Sequence, residues 1–470
     1  MYINANDFID KSSDSEMIQA ALDAAREEGV SVLVPKINKR TGKAIWNIDK
    51  TVLLYSGSIL VLQNAHLRLA DGVICNMFRN ADDKNEDITI KGIGKSILDG
   101  GTHNELYEVN GIARSVSKYP GRHAYENCMM IFKCTKNLLI DNITIKDHRY
   151  WAICLCATYE SRVANIHFES SSNVPNQDGV DLLPGCHDVI VENITGCVGD
   201  NIVALIATRD DLYPYKPESV RECDVHNVIV RNLLVHGVGG CALVRLLNHD
   251  GCRIYNVRID NIIETSPWSE NDATVAPNPD LQIVSDGHGN MVHKRWLTPG
   301  EEGYRCEAAI IIGESYWYKH TKARPGDTFG ISVSNVMTHA RFALWLNNAV
   351  KDSVFENIRV FGNGFTSVFF GEGVMENLSF RGIRYDEDVK PVKGDEHVVI
   401  EWNNTESKGL NAVYFNGTSV RNLEFSDMRV ASSLESVFGG HGTGNVVCRN
   451  VDKTLTESFA SVSGIEVIEK

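Results

Sequence analysis

Asn227-Val-Ile-Val-Arg-Asn-Leu-Leu-Val235 alternates apolar with polar side chains and carries Asn232 within it. The alternation has the period of two of a strand with one buried face, and the run is too short for a helix. Asn inside an apolar run recurs at Asn142, Asn165, Asn193, Asn232, Asn256, Asn335, Asn357, Asn377, Asn422 and Asn450. From 142 to 165 is 23 residues and to 193 a further 28; from 232 to 256 is 24, from 335 to 357 is 22, and from 357 to 377 is 20. A repeat of this length marks a solenoid.

Strands with no helix between them do not fold back as βαβ units. Successive turns must therefore stack as coils of a parallel β-helix, each burying its neighbour's inward face, which makes the chain all-β. The repeated Asn reads as a turn ladder, because its amide can bond the coil above and it tolerates a left-handed bend. The intervals 193 to 232, 256 to 335 and 377 to 422 exceed one coil and must hold loops. The largest, residues 264–304, is rich in Pro, Asn, Asp and Gly and is expected to be a lid over a cleft. Ser13-Asp-Ser-Glu16 resembles a capping box and precedes Met17, Ile18, Ala20, Ala21, Leu22 and Ala25 on one helical face. Residues 13–29 are thus expected to form a helix capping the N-terminal end of the solenoid. A solenoid is one unit at any length, so residues 1–470 are read as a single domain.

A net charge of −15 with no Lys or Arg cluster argues against nucleic acid and anionic membranes as partners. No run approaches the ~18 apolar residues of a membrane span, and the first residues lack a signal-peptide pattern, so the expected location is cytoplasmic. Of the twelve cysteines, Cys134, Cys154, Cys156, Cys241 and Cys252 fall in apolar strands without paired spacing. They read as small core residues; no metal site and no cofactor are implied.

Two acidic motifs lie one coil apart. They are Asn176-Gln177-Asp178-Gly179-Val180-Asp181 and Gly199-Asp200-Asn201, with 22 residues from Asp178 to Asp200. On these motifs, and on Asn137-Leu-Leu-Ile-Asp-Asn-Ile-Thr-Ile-Lys-Asp-His-Arg-Tyr-Trp151 before them, the stretch from Met129 to Leu205 resembles glycoside hydrolase family 28, the polygalacturonase-like enzymes. The first motif is similar to that family's Asn-Thr-Asp-Gly-x-Asp, and Gly199-Asp-Asn-Ile-Val-Ala204 to its Gly-Asp-Asp-x-x-Ala. The resemblance implies a single-stranded, right-handed, pectin-lyase-like β-helix and hydrolysis of an oligosaccharide or polysaccharide with inversion. It makes Asp200 the general acid and Asp178 the base. Such cleavage needs one acid to protonate the leaving oxygen and one carboxylate to activate water, ~6.5–9.5 Å apart for inversion. Side chains splayed from coils ~4.8 Å apart can span that gap.

The departures from the family are equally specific. Its second Asp after the general acid is Asn201 here, which hydrogen-bonds water but takes no proton; Asp181 is the candidate to compensate. The Gly-His-Gly expected one coil later is replaced by His236-Gly-Val238-Gly-Gly240, with His236 as a substitute on the same face. Gly287-His288-Gly289 and Gly440-His441-Gly442 copy the string too many coils away. For the missing Arg-Ile-Lys the nearest cation is Arg245, which leaves the sugar's charge open. His148, Arg149, Tyr150 and Trp151 are candidates for a sugar-binding wall and Asn176 for a further substrate-binding residue, with Trp268, Trp296, Tyr316, Trp317 and Tyr318 as a roof. Two other classes stay open: a β-helix lyase or epimerase working through C5 proton abstraction, and a non-catalytic carbohydrate-binding β-helix. The oligomeric state is not fixed by the sequence.

Overall fold

The computed structural model describes residues 1–104, 106, 108–109, 112–116, 122–170, 176–209, 218–236, 242–264, 283–285, 291–293, 308–313, 323–338, 340, 342–361, 366–386, 399–400, 405–406, 411–430, 436–453, 456 and 458–470. It divides into two compact units. The first is Met1–Asp200 with Asp210–Pro217 and Val275–Arg295; the second is Asn201–Arg209, Glu218–Thr274 and Trp296–Lys470.

In the first unit nearly every strand pairs in parallel with the strand one coil on, giving three ladders. One runs through Val52–Leu54, Phe78–Asn80, Met130–Lys133, Ile153–Cys156 and Val180–Leu182. A second joins Ser31–Pro35, Ile59–Gln63, Asn85–Ile93 and the first halves of Thr135–Lys146, Tyr159–Glu169 and His187–Cys197. The third joins Trp46–Ile48, His66–Leu69 and Ile97–Asp99 to the second halves of those long strands. The long strands change ladder at the Asn residues. Asn142, Asn165 and Asn193 all have φ 56°, the left-handed bend that Asn tolerates.

The N-terminal helix, Asp14–Glu28, starts at Ser13 and ends at Gly29 (φ 67°). The Ser13 hydroxyl accepts the Glu16 amide at 3.4 Å, while the Glu16 carboxylate reaches back one residue further, to the Ser12 amide at 3.2 Å. Its apolar face, Met17, Ile18, Ala21, Leu22 and Ala25, is buried. Its polar side chains occupy donors of the first coil's strands. Asp14 accepts from the Asn47 amide (2.7 Å), Ser15 from Asp49 (2.9 Å) and Gln19 from Leu53 (2.8 Å). An open strand edge is a template for further pairing, and the helix blocks it with hydrogen bonds as well as apolar cover.

The second unit repeats the pattern. One ladder runs through Val203–Ala207, Ala242–Asn248, Ala308–Ile312 and the first parts of Phe342–Phe361, Thr366–Asp386 and Asn411–Val430. The later parts of the three long strands carry a phenylalanine column: Phe355, Phe380 and Phe425 stack at 4.7 and 4.5 Å, with Phe370 of the first ladder edge-on to Phe380 at 5.6 Å.

The Asn ladder is present, but with two corners per coil. Asn261 donates to Asn232 (2.9 Å) and Asn256 to Asn227 (3.2 Å), so the step there is 29 residues and Asn232 to Asn256 joins different corners. Likewise Asn377 stacks on Asp352 (2.7 Å), not on Asn357, which bonds Asn335 (2.6 Å). Asp fills ladder sites as readily as Asn, since it too accepts the amide from the next coil. Asn377 (φ 54°) both donates to Asp352 and accepts from Asn422 at 2.9 Å. Asn377→Ala is expected to lower unfolding free energy by about 1–3 kcal/mol, from the left-handed backbone and the lost bonds, measured by urea unfolding.

Most of the ten cysteines among the described residues are buried. Cys134 occupies a left-handed bend (φ 48°) rather than a strand interior, and Cys241 lies outside the described residues. The expected lid, 264–304, also lies outside them apart from Glu264 and an antiparallel pair, Ile283–Ser285 with Met291–His293. Among the described residues no helix is long and apolar enough to cross a membrane.

Candidate active site

The first unit gathers three carboxyls. Asp181 lies in the short strand Val180–Leu182, in register with Cys154, Ile131, Arg79 and Leu53 on successive coils. Neighbours on either side, Phe78, Met130, Ile153 and Val180, are buried, while Arg79 is exposed, which marks this column as the outward-facing one. Asp181 nevertheless has 0% exposure, so chain packed over the outer face covers it. Cys128 packs against the same column one coil away, its Sγ 3.7 Å from Cys154 Sγ. Burial pushes the Asp181 carboxyl well above the usual carboxylate range, and the negative charges of Asp178 and then Asp200 push it further. Both of those residues are therefore its neighbours. Asp178 is buried and Asp200 half-buried.

Gln177 holds the segments together. Its side-chain amide donates to the His148 carbonyl at 2.6 Å, and its own carbonyl accepts from the amides of Gly199 (3.1 Å) and Asp200 (3.2 Å). The adjoining carbonyls of Asp178 and Gly179 accept from Ala152 and Ile153, both at 3.0 Å. The turn after Lys146, the first acidic motif and the coil carrying Asp200 are thereby fixed to one another. Gly196, four residues before Asp200, has φ 95°, and a Cβ there would meet the Phe168 carbonyl oxygen at 2.0 Å. Only glycine fits that approach. Gln177 stands where the resembled family has Thr, and that substitution was the signal for a role the motif reading passed over.

The expected wall at 148–151 is not built by His148 and Arg149, which turn into the protein. Arg149 is 1% exposed and donates to the carbonyls of Val73 (2.7 Å) and Ala70 (3.0 Å). Backbone acceptors stabilise the buried guanidinium in place of water. His148 is fully buried, with Nδ1 3.1 Å from Ser170 Oγ and its ring against Phe168. Burial lowers its pKa to about 4, so the imidazole is neutral at pH 7. Trp151 is nearly buried against Tyr150, ring centroids 4.6 Å apart. Asn176 is half-buried with φ 55°.

His148 also makes a pH prediction. An unfolded chain binds the imidazole proton below about pH 6.5, whereas the folded one does so only below about 4. This contribution to stability is complete above pH 6.5 and disappears as pH falls to 4, by on the order of 3 kcal/mol. Urea unfolding of His148→Gln across that window is expected to show a flatter acid limb than the parent.

In the second unit, Asn201 is buried and its carboxamide oxygen accepts the Ala242 amide at 3.2 Å. Arg245 is the half-buried residue of the otherwise buried strand Ala242–Asn248, in register with Ala204 and Ile311. That outward column continues through Trp345, Phe369 and Tyr414, an aromatic series absent from the sequence reading. The side chain of His236, together with Val238, Trp268, Trp296, Tyr316, Trp317 and Tyr318, lies outside the described residues.

Solved structures share this architecture. The A-module of the mannuronan C-5 epimerase AlgE6 of Azotobacter vinelandii superposes with TM-score 0.54 at 10% identity, covering 99% of each chain. The hyperthermoactive exopolygalacturonase of Thermotoga maritima gives 0.52 at 12% identity, over 90% of this chain and 92% of its own. The fold is a right-handed parallel β-helix. A tailspike double mutant of E. coli bacteriophage HK620, in complex with a pentasaccharide, gives 0.54 at 12% identity over 99% of this chain and 78% of that one. Identities this low speak to the fold alone. Neither a protein-family model nor a curated protein matches the sequence.

Proposed function

We propose that this β-helix is a carbohydrate-active enzyme that hydrolyses a glycosidic bond by acid/base chemistry, acting on an oligosaccharide or polysaccharide in the manner of the polygalacturonase-like family. The observation that carries the reading is that the Gly199 and Asp200 amides bond the Gln177 carbonyl, next to Asp178, which brings the two acidic motifs with Asp178, Asp181 and Asp200 to one locality of the first unit. Turn residues scattered by chance would not meet there.

Asp200, the more exposed of the three, is the general acid. It gives its proton to the leaving glycosidic oxygen as the bond to the anomeric carbon breaks. Asp178 is the base: it takes a proton from the water whose oxygen forms the new bond. The products together are heavier than the substrate by one water. Asn201, tied to the Ala242 amide, supplies no second base.

Mass spectrometry together with proton NMR of products from a panel of uronate and neutral oligosaccharides tests this reading. Fragments carrying one added water, with inverted configuration at the new reducing end, support it. Unsaturated fragments without added water identify a lyase, and mass-neutral change at C5 an epimerase. Binding without turnover on every member indicates a carbohydrate-binding protein.

A further inference from the structure

With Asn201 in the place of the family's second Asp, the obvious substitute base is Asp181, and the structure argues against it. Neither carboxyl oxygen of Asp181 has a hydrogen-bond partner among the described residues. The side chain is fully buried, on the outer face of its ladder, with Cys154 beside it in the same column. A carboxylate there would be shielded from bulk solvent with no donor on either oxygen among the described residues to support its charge. Among the described residues, the titratable groups that interact with it are Asp178 and Asp200, both acidic, and the Cys154 thiol, itself driven far above its usual range by burial.

We infer that Asp181 is a neutral carboxylic acid at working pH and acts as a positioning residue for the Asp178/Asp200 pair rather than as a water-activating base. By keeping its proton it removes one of three like charges from a confined site, which lets the remaining two divide into one base and one acid. Burial and the two like-charged neighbours hold the proton well above the usual range. The role in catalysis rests on the hydrolase reading above; the protonation state does not.

Three measurements test it. Infrared difference spectra between the parent and Asp181→Asn at pH 8 are expected to contain the carbonyl band of a protonated carboxyl. A carboxylate band in its place would overturn the inference.

The second is stability against pH. The folded state keeps a proton that the unfolded chain releases near pH 4, so this residue costs stability progressively as pH rises from there. Asp181→Asn is therefore expected to shift its urea midpoint upward relative to the parent, by more at pH 8 than at pH 5. A pH-independent difference would overturn the inference.

The third is turnover. Removing an acid or base costs about 10²–10⁴-fold. Asp181→Asn, neutral and of the same shape, is expected to lower kcat by no more than about tenfold, Asp181→Leu by far more. Loss in Asp181→Asn equal to that in Asp178→Asn would make Asp181 the base and defeat the proposal. Absence of any turnover in the parent would defeat the hydrolase reading while leaving the infrared and stability results to decide the proton.

Discussion

Asp200→Asn is expected to lower kcat by about 10³-fold or more on any oligosaccharide the parent cleaves, with little change in KM. The substitution keeps the shape of the side chain and the backbone bonds that hold the segment, since Gly199 and Asp200 reach the Gln177 carbonyl through their amides. What it removes is the proton for the leaving oxygen. The loss should consequently depend on the leaving group. An aryl glycoside whose phenolate departs without protonation is expected to recover most of the rate in Asp200→Asn and none in Asp178→Asn, because activation of water is needed for both substrates. Parallel loss on natural and aryl substrates in both variants would remove the acid assignment from Asp200. An unchanged thermal midpoint in Asp200→Asn is the control that the site has lost chemistry and not structure.

How much of this was legible in the sequence depended on the kind of signal. The strands and their stacking follow from a period of two interrupted by Asn, because only a bend tolerant of left-handed φ can pass a strand from one ladder to the next, as at Asn142, Asn165 and Asn193. Register was less legible. Asn227 and Asn232 mark two corners of one coil, and the chemistry that suits one suits the other, so spacing alone joined Asn232 to the wrong partner. Asp141, Asp352 and Asp427 act as ladder members, a substitution no Asn count reveals.

At the candidate site, the one-coil spacing of the two motifs predicts that the coil of Asp178 and Asp181 lies beside the coil of Asp200, and the Asp200 amide does bond the Gln177 carbonyl next to Asp178. The same reasoning failed for Arg149. Its acceptors are carbonyls 79 and 76 residues earlier in the chain, and nothing local to His148-Arg149-Tyr150-Trp151 says that this turn faces inward. It also passed over Gln177, whose contribution is one side-chain bond and one backbone carbonyl. Periodicity identifies which residues share a face of a strand; it carries no information on where a turn residue sends its polar atoms.

Phe380→Ala is expected to be among the most destabilising single changes in the second unit, at about 3–5 kcal/mol. Its ring is fully buried and stacked on both sides, 4.7 Å from Phe355 and 4.5 Å from Phe425, each at 8° between planes, with Phe370 edge-on at 83°. Its removal opens a cavity walled by three rings. Those rings cannot collapse into it, because each is carried on a strand held in register by a continuous parallel ladder. In a solenoid each coil draws its stability from the coils on either side, so the loss should appear locally before it appears globally. Hydrogen exchange is expected to accelerate most at 351–360 and 418–430, the stretches paired with the damaged strand, and least at 203–207 within the same unit. Phe380→Leu, which refills much of the volume without the stacking, should cost less than half as much. Uniform acceleration across the unit at equal global loss would show that its coils unfold as one cooperative block, and would place the Phe column's role in the whole stack rather than in its nearest neighbours.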